Sequence, residues 1–447
     1  MSGAGRSWAI VGGGLLGGTL ALRLAEAGQE VTLFEAASEL GGLAAAWQLG
    51  DLVWDRHYHV TLLSDGHTRG LLRSLDLEAE MQWVKTRTSL YAERQLLPMS
   101  NAIDYLRLPT LGWIDKARLA GTILWASRVR DGAALDEIPV EGWLEQLSGK
   151  SVLEKLWVPL LRSKLGDRYP EASAAFLWAT IQRLYAARRS GLKEEMFGYV
   201  PGGYARILAR LSERLEAAGV AVRTGAPARE IREREGRWRL GFGEAKEEAF
   251  DRAVVTLTPR RTARLLPDSS TETRAALGEL GYQGIVCASV LLDRPVADSY
   301  LTYLVDRELP FTAIVEMSAF VDPSELGGRG LVYLPLYLHE SDERFHAPDE
   351  EIRASFLAGL QKVHLEVTED RVQAFRISRV AEVFPFPVQG YARRLPPGRL
   401  GHGLHWVSSA QIAGGTLNVN DTVAVAEAAA ASLIASGGLE AAPGASS

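Results

Sequence analysis

The 447-residue sequence predicts an α/β fold built on a parallel sheet, and three observations predict it. A short apolar run, Trp8 to Val11, leads into Gly12, Gly14 and Gly17 in G-x-G-x-x-G spacing, and Leu20, Ala21, Leu24 and Ala25 then recur at helical period. A second apolar run, Val31 to Phe34, ends on Glu35, completing one strand, turn, helix and strand. Near the carboxyl end, His405 to Ser408 reads as a last strand, and the segment opening at Ser409 as a last helix reaching about Ile434. This is the pattern of a Rossmann-like domain, and the strand-rich stretch from Gly281 to Leu338 predicts an interleaved α+β lobe.

Bulk properties narrow the class. Hydrophobic residues make up 47% and charged residues 23%, as in an ordinary globular protein, and the length calls for more than one core. A formal charge of -6 offers no overall basic surface, so no nucleic-acid partner is expected. Cys287 is the single cysteine; it excludes an intramolecular disulfide, suits a reducing compartment, and reads as a small buried hydrophobe of a strand. Met1 to Arg6 run straight into the first strand, and no uncharged apolar run is long enough to cross a bilayer. The expected location is the cytoplasm, with peripheral membrane contact open.

Each residue of the first motif has a physical task. Gly12 permits a turn that a side chain would forbid, Gly14 lets the backbone approach a pyrophosphate, and Gly17 lets the helix pack close to the strand. Leu15 and Leu16 open the helix, where unpaired N–H groups and the positive dipole end suit phosphate. Glu35, followed by Ala36, is placed to accept hydrogen bonds from an adenosine ribose and repels a 2′-phosphate, which disfavours NADP. Gly41 and Gly42 follow in E-x5-G-G spacing and tilt the choice from NAD to FAD.

With this second glycine pair, residues 8 to 42 resemble the FAD-dependent superfamily of flavin amine oxidases, protoporphyrinogen oxidases, phytoene desaturases and UDP-galactopyranose mutase. The resemblance implies a discontinuous FAD domain of glutathione-reductase type from residues 1–75, 196–260 and 384–447. A substrate domain of residues 76–195 and 261–383, a helical lobe plus a mixed sheet, would cover the flavin. FAD is expected to be non-covalent, since no cysteine lies near the chain's end. The loop through Gly41, Gly42 and Leu43 would run along the pyrophosphate; Leu43 stands where most relatives carry arginine, as in the protoporphyrinogen-oxidase-like and mutase-like branches. Pro201-Gly202-Gly203 would return the chain to the FAD domain, and the adenine-contacting backbone falls at Ala226 to Ala228. Backbone groups of Thr416, Leu417, Asn418 and Val419 would meet the flavin's pyrimidine edge, where charge develops on reduction. Where relatives carry Gly-Asp, this chain has Ser408 and Ser409, and serine holds a ribityl hydroxyl more weakly than a carboxylate does.

Other candidates lie between these anchors. Asp55-Arg56-His57-Tyr58-His59 corresponds to a segment that passes the isoalloxazine ring in relatives, making His57 and His59 candidate catalytic groups and Tyr58 a candidate substrate contact. The same residues could instead fill a domain seam. The segment from Trp157 to Gly166 resembles the W-x-P-L-L-x-x-K-x-G stretch of protoporphyrinogen-oxidase-like flavoproteins; Lys164 either lines the substrate cavity or solvates a helix end. Tyr333 belongs to a strand set whose aromatic rings suit a flat substrate or a plain sheet core. Arg188-Arg189 could bind an anion. The apolar stretch carrying Leu108, Leu111, Trp113, Ile114, Leu119, Leu124 and Trp125 reads as the packed face of a helical lobe, because Arg107, Asp115, Lys116 and Arg118 interrupt it. A surface facing a membrane or a greasy substrate is its other reading.

Three functions are consistent with these residues. The leading one is an FAD-dependent oxidoreductase that oxidises an amine or a C–C or C–N bond of a small organic substrate by hydride transfer to flavin N5, with O2 or another small acceptor taking the electrons. Redox-neutral flavin catalysis like that of UDP-galactopyranose mutase is the second, and a binding protein on the same fold the third. No metal site is expected, and nothing fixes the oligomeric state.

Overall fold

A computed structural model describes residues 6–100, 104, 107–189, 196–243, 246–412 and 416–437. The chain folds round two large sheets. The first has six strands in the order Ala221–Arg223, Glu30–Phe34, Ser7–Val11, Arg252–Val255, Leu404–Trp406 and Arg399–Gly401. All pairs are parallel except the last. Along Ser7–Val11, Trp8 and Ile10 join one core with the helices Leu15–Glu26, Gly203–Ala217 and Val419–Gly437, while Ala9 and Val11 join another on the opposite face. Burial on both faces explains why the run is apolar throughout rather than alternating.

The second sheet has seven strands in the order Val372–Pro385, Tyr282–Leu292, Gly330–Leu338, Ala313–Glu316, Leu301–Leu304, Thr88–Ala92 and Gln95–Pro98. Its two-residue period sorts the side chains. Val286, Ala288, Val290 and Leu292 face the helix Asp349–Val363, whereas Ile285, Cys287, Leu291, Tyr333 and Tyr337 face the helical lobe. Val372–Pro385 is an edge strand paired only with Tyr282–Leu292, which is how Pro385 can end it without costing a ladder hydrogen bond. Its outer side meets other segments of the chain: Arg376 Nη1 donates to the Gln48 carbonyl of the hairpin Ala46–Leu49 and Leu52–Asp55 at 2.7 Å, and Arg260 Nε, from the helix Pro259–Leu265, donates to Glu382 at 2.7 Å.

Several boundaries differ from the sequence reading. The alternating polar and apolar residues from Met81 to Leu97 predict a single hairpin, but only Thr88–Ala92 and Gln95–Pro98 form one, and Gln82–Lys85 pairs instead with Met196–Tyr199. The helix expected from Val152 to Leu165 contains a π turn, Leu153–Trp157, just before Pro159, whose ring displaces the regular ladder. The last helix begins at Val419 rather than at Ser409, because Asn418 Oδ1 accepts the Asp421 N–H at 2.9 Å and caps it. The apolar stretch divides: Leu108, Leu111 and Leu119 are buried, but Trp113, Ile114, Leu124 and Trp125 are exposed. Ala413 to Gly415 and the side chains of Arg188 and Arg189 lie outside the described residues.

Candidate cofactor and active site

The glycine turn has the geometry its spacing predicts. Gly12 takes φ +116°, and a Cβ on Gly17 would stand 1.9 Å from the Gly12 carbonyl oxygen, so the helix sits where only glycine lets it. Gly14 differs: a Cβ there would meet nothing nearer than 3.9 Å, at Gly41 and Gly42. Gly14 is thus bare backbone facing free space at the helix N-cap, as a phosphate cradle requires. The second glycine pair closes this cradle, for the Gly41 N–H donates to the Gly13 carbonyl at 2.8 Å and Gly14 and Gly41 form a parallel bridge. Gly41 and Gly42 take φ +137° and +59°.

Glu35 ties the two loops together. Its carboxylate accepts the Gly13 N–H at 2.7 Å and the Ala37 N–H at 2.8 Å, one on each oxygen, which leaves each oxygen capacity for a further donor. Beside it the Ala226 N–H donates to the Glu35 carbonyl at 2.9 Å, so the chain leading to Ala228 borders the same turn. Leu15, Leu16, Ala36 and Leu43 flank the cradle through their positions in these loops.

The second group of candidates meets at the seam between the sheets. The hairpin of Ala46–Leu49 and Leu52–Asp55 delivers Asp55 and the residues after it. Asp55 is buried, accepts the Tyr204 N–H at 2.7 Å, and is pushed up to about 7 by burial, which outweighs that hydrogen bond. His57 is driven down to about 3 by burial and by His59 and Arg56; its Nε2 lies 3.3 Å from Ser378 Oγ on the edge strand. Burial likewise brings His59 to about 4, with its ring 4.6 Å from that of Tyr204. Both imidazoles are therefore neutral near pH 7. Trp54, Asp55, His59, Tyr199, Tyr204 and Met317 line a small cavity here.

All three candidate substrate residues converge. Tyr58 and Tyr337 share a hydroxyl–hydroxyl hydrogen bond of 2.8 Å, and Lys164 Nζ donates to the Tyr337 oxygen at 3.0 Å while lying 4.4 Å from its ring centre. The Tyr333 ring is 6.1 Å from that of Tyr58, and its hydroxyl donates to the Asp55 carbonyl. Burial raises Tyr58 and Tyr333 well above the usual phenol range, so both stay protonated. Arg162, by contrast, pairs with Asp167 at 3.1 Å. Ser378 and Arg376 were not singled out by the sequence; Tyr337 belongs with Tyr333 to the recurring aromatic rings of the strand set, and their i, i+4 placement puts both on one strand face.

Arg56 and Arg376 also meet at this seam. Arg56 Nη2 donates to the Gly42 carbonyl at 2.6 Å, and Arg376 lies 4.5 Å over the Trp47 ring. Each guanidinium is close enough for repulsion from Arg376 to lower Arg56 further, after burial. Neither has a carboxylate partner among the described residues. At the carboxyl end, Ser408 is buried and its hydroxyl accepts the Ala410 N–H, Ser409 begins a short 3-10 turn, and Thr416 to Asn418 precede the N-terminus of the last helix.

A parallel sheet, a bare phosphate turn and an acid binding the turn from the next strand define a dinucleotide-binding flavoprotein. The chain belongs to the flavin containing amine oxidoreductase family, whose sequence model matches residues 19–434. It is an FAD-dependent oxidoreductase of that family. It is 28% identical to the carotenoid phi-ring synthase of Streptomyces griseus, over 86% of this chain and 79% of that protein. The mitochondrial protoporphyrinogen oxidase of Nicotiana tabacum is 28% identical over 35% of this chain, a match that spans only 32% of the tobacco protein. Among solved structures, a provisional protoporphyrinogen oxidase from Exiguobacterium sp. 255-15 superposes with a TM-score of 0.78 at 20% identity, covering 97% of this chain and 99% of that one. The residues fit FAD: Gly14 leaves open space in front of the helix N-cap, Glu35 ties the two glycine loops together, and Asn418 caps the last helix just after Thr416 and Leu417.

Proposed function

We propose that this flavoprotein oxidises an apolar, flat or conjugated organic substrate at a C–C or C–N bond, bound against Tyr58, Tyr333, Tyr337 and Lys164. The carrying observation is that burial keeps the imidazoles and the Tyr58 and Tyr333 phenols of this site uncharged near neutral pH. Neutral rings on several sides suit a flat, apolar substrate. A relative whose name carries a carotenoid supports the same chemistry.

In this reading Gly12, Gly14, Leu15, Leu16, Gly17, Gly41, Gly42 and Leu43 bed the pyrophosphate, Glu35 and Ala36 the ribose, and Ala228 the adenine. Ser409 and the Thr416, Leu417, Asn418 and Val419 backbone serve the flavin side. FAD held there would supply a two-electron acceptor for a hydride from a substrate carbon. Neutral His57 and His59 act by donating or accepting hydrogen bonds, not by carrying a net charge. Tyr58, Tyr337 and Lys164 orient the substrate and exclude water. O2 or another small acceptor then takes the electrons.

Arg56 and Arg376 favour a second reading, redox-neutral catalysis on an anionic substrate such as a sugar diphosphate. Anaerobic spectra of the purified holoprotein separate the two. Bleaching of the flavin by a polyene, porphyrinogen or amine, followed by recovery in air, is expected for oxidation. Turnover of a diphosphate by pre-reduced protein, without bleaching by any neutral substrate, would overturn it.

A further inference from the structure

The helix Trp113–Ala126 packs one side into the helical lobe, where Leu119, Thr122 and Ala126 are buried. Its outer side is apolar. Trp113 is 76% exposed, Ile114 72%, and Leu124 and Trp125 44% each. Helical spacing stacks Trp113, Ala117, Ala120 and Leu124 in one row and Ile114, Arg118, Gly121 and Trp125 in the next, a face three turns long that is apolar but for Arg118.

The charges on this face are all of one sign. Lys116 Nζ lies 5.2 Å from the Trp113 ring centre, Arg118 and Arg128 are exposed, and none of the three pairs with a carboxylate among the described residues. The helix's one acid is half-buried and already engaged, since Asp115 accepts from Ser151 Oγ at 2.8 Å and the Gly112 N–H at 3.4 Å. A cationic face on a chain of net charge -6 runs against the molecule's average.

A second copy would fit poorly. A face this long presents about 200 Å² from helix dimensions, against roughly 800 Å² per partner in a stable interface, and two such faces would juxtapose like charges. Exposed tryptophans flanked by cations match the headgroup boundary of a bilayer, where indole rings settle and anionic lipids attract Lys and Arg. We propose that this face seats the protein on the surface of a membrane containing anionic lipids. The docking is shallow, for no described helix is long and apolar enough to span one.

Flotation of the full-length holoprotein with vesicles of phosphatidylcholine, with and without phosphatidylglycerol, tests this. Wild type is expected to float with the anionic vesicles and to be released by salt. The double variant Trp113→Ser/Ile114→Ser should bind about tenfold more weakly or worse, and Arg118→Glu/Arg128→Glu should lose the preference for phosphatidylglycerol. Leu365→Ser, at a position 80% exposed elsewhere on the molecule, should bind as wild type. Thermal melts and flavin absorbance verify that each variant is folded. Wild type that stays with the soluble fraction, a double variant that floats undiminished, or a dimer that dissociates in the double variant would each overturn the proposal.

Discussion

The phosphate turn and the substrate seam are built by opposite means. In the turn, recognition is done by backbone: Gly12, Gly14 and Gly17 lie within six residues, and what matters is where a Cβ cannot or need not be. At the seam, recognition is done by side chains whose neighbours in space are far apart in sequence, such as Tyr58 with Tyr337 and His57 with Ser378. Local backbone geometry tolerates no substitution and leaves a contiguous trace. A side-chain assembly tolerates many and leaves almost none.

The most severe way to break this contrast is Gly17→Val. With the Gly12 carbonyl 1.9 Å from the added carbon, the helix must shift off the strand, and a loss of more than about 4 kcal/mol is expected, read as absent flavin and a collapsed melting transition. A variant that retained flavin would sink the close-packing account.

At the seam the expected effect depends on pH. Burial raises Asp55 and Glu316 from their ordinary values of 3.8 and 4.5 to about 7, so each stabilises the fold at low pH and loses that contribution as pH rises through 7. His57 and His59 run the other way: driven from 6.5 to about 3 and 4, they contribute above 6.5 and lose it as pH falls. Between about pH 4.5 and 6.5 the two acids offset the two imidazoles, and these four groups leave stability flat. Asp55→Asn removes one acid while keeping an acceptor for Tyr204. The variant should gain up to about 4 kcal/mol over wild type at pH 8, and its stability should fall by about 1.4 kcal/mol per unit as pH drops from 6.5. Urea titrations across this range check both, and parallel curves for the two proteins would refute the assignment.

Smaller effects sharpen the comparison. Glu35→Ala frees the Gly13 and Ala37 N–H groups and removes the ribose acceptor, and should weaken FAD binding to apoprotein about thirtyfold by calorimetry. Tyr337→Phe deletes the bonds to Tyr58 and Lys164 and should lower stability by about 1 kcal/mol in thermal unfolding, with flavin content unchanged. Loss of flavin in that variant would mean that the two regions are not separable.

Legibility followed the same division. The family and the α/β fold could be read from residues 8 to 42, because E-x5-G-G after G-x-G-x-x-G admits few other backbones. Tyr58, Lys164 and Tyr333 were each nameable, but their convergence through Tyr337 depends on sheet register that no local pattern encodes. Trp113 and Ile114 misled for a simpler reason. An apolar run broken by charges does not say which of its apolar residues face inward, and here Leu119 and Ala126 turned in while Trp113 and Ile114 turned out.

The edge strand Val372–Pro385 has a mechanical consequence. It is fastened at intervals along its length to segments outside its own sheet: Arg376 to Gln48 of the hairpin, Ser378 to His57 of the loop that follows it, and Glu382 to Thr258 and Arg260 beyond Arg252–Val255. Swinging the halves apart would unzip all of these together, so the molecule is riveted rather than hinged.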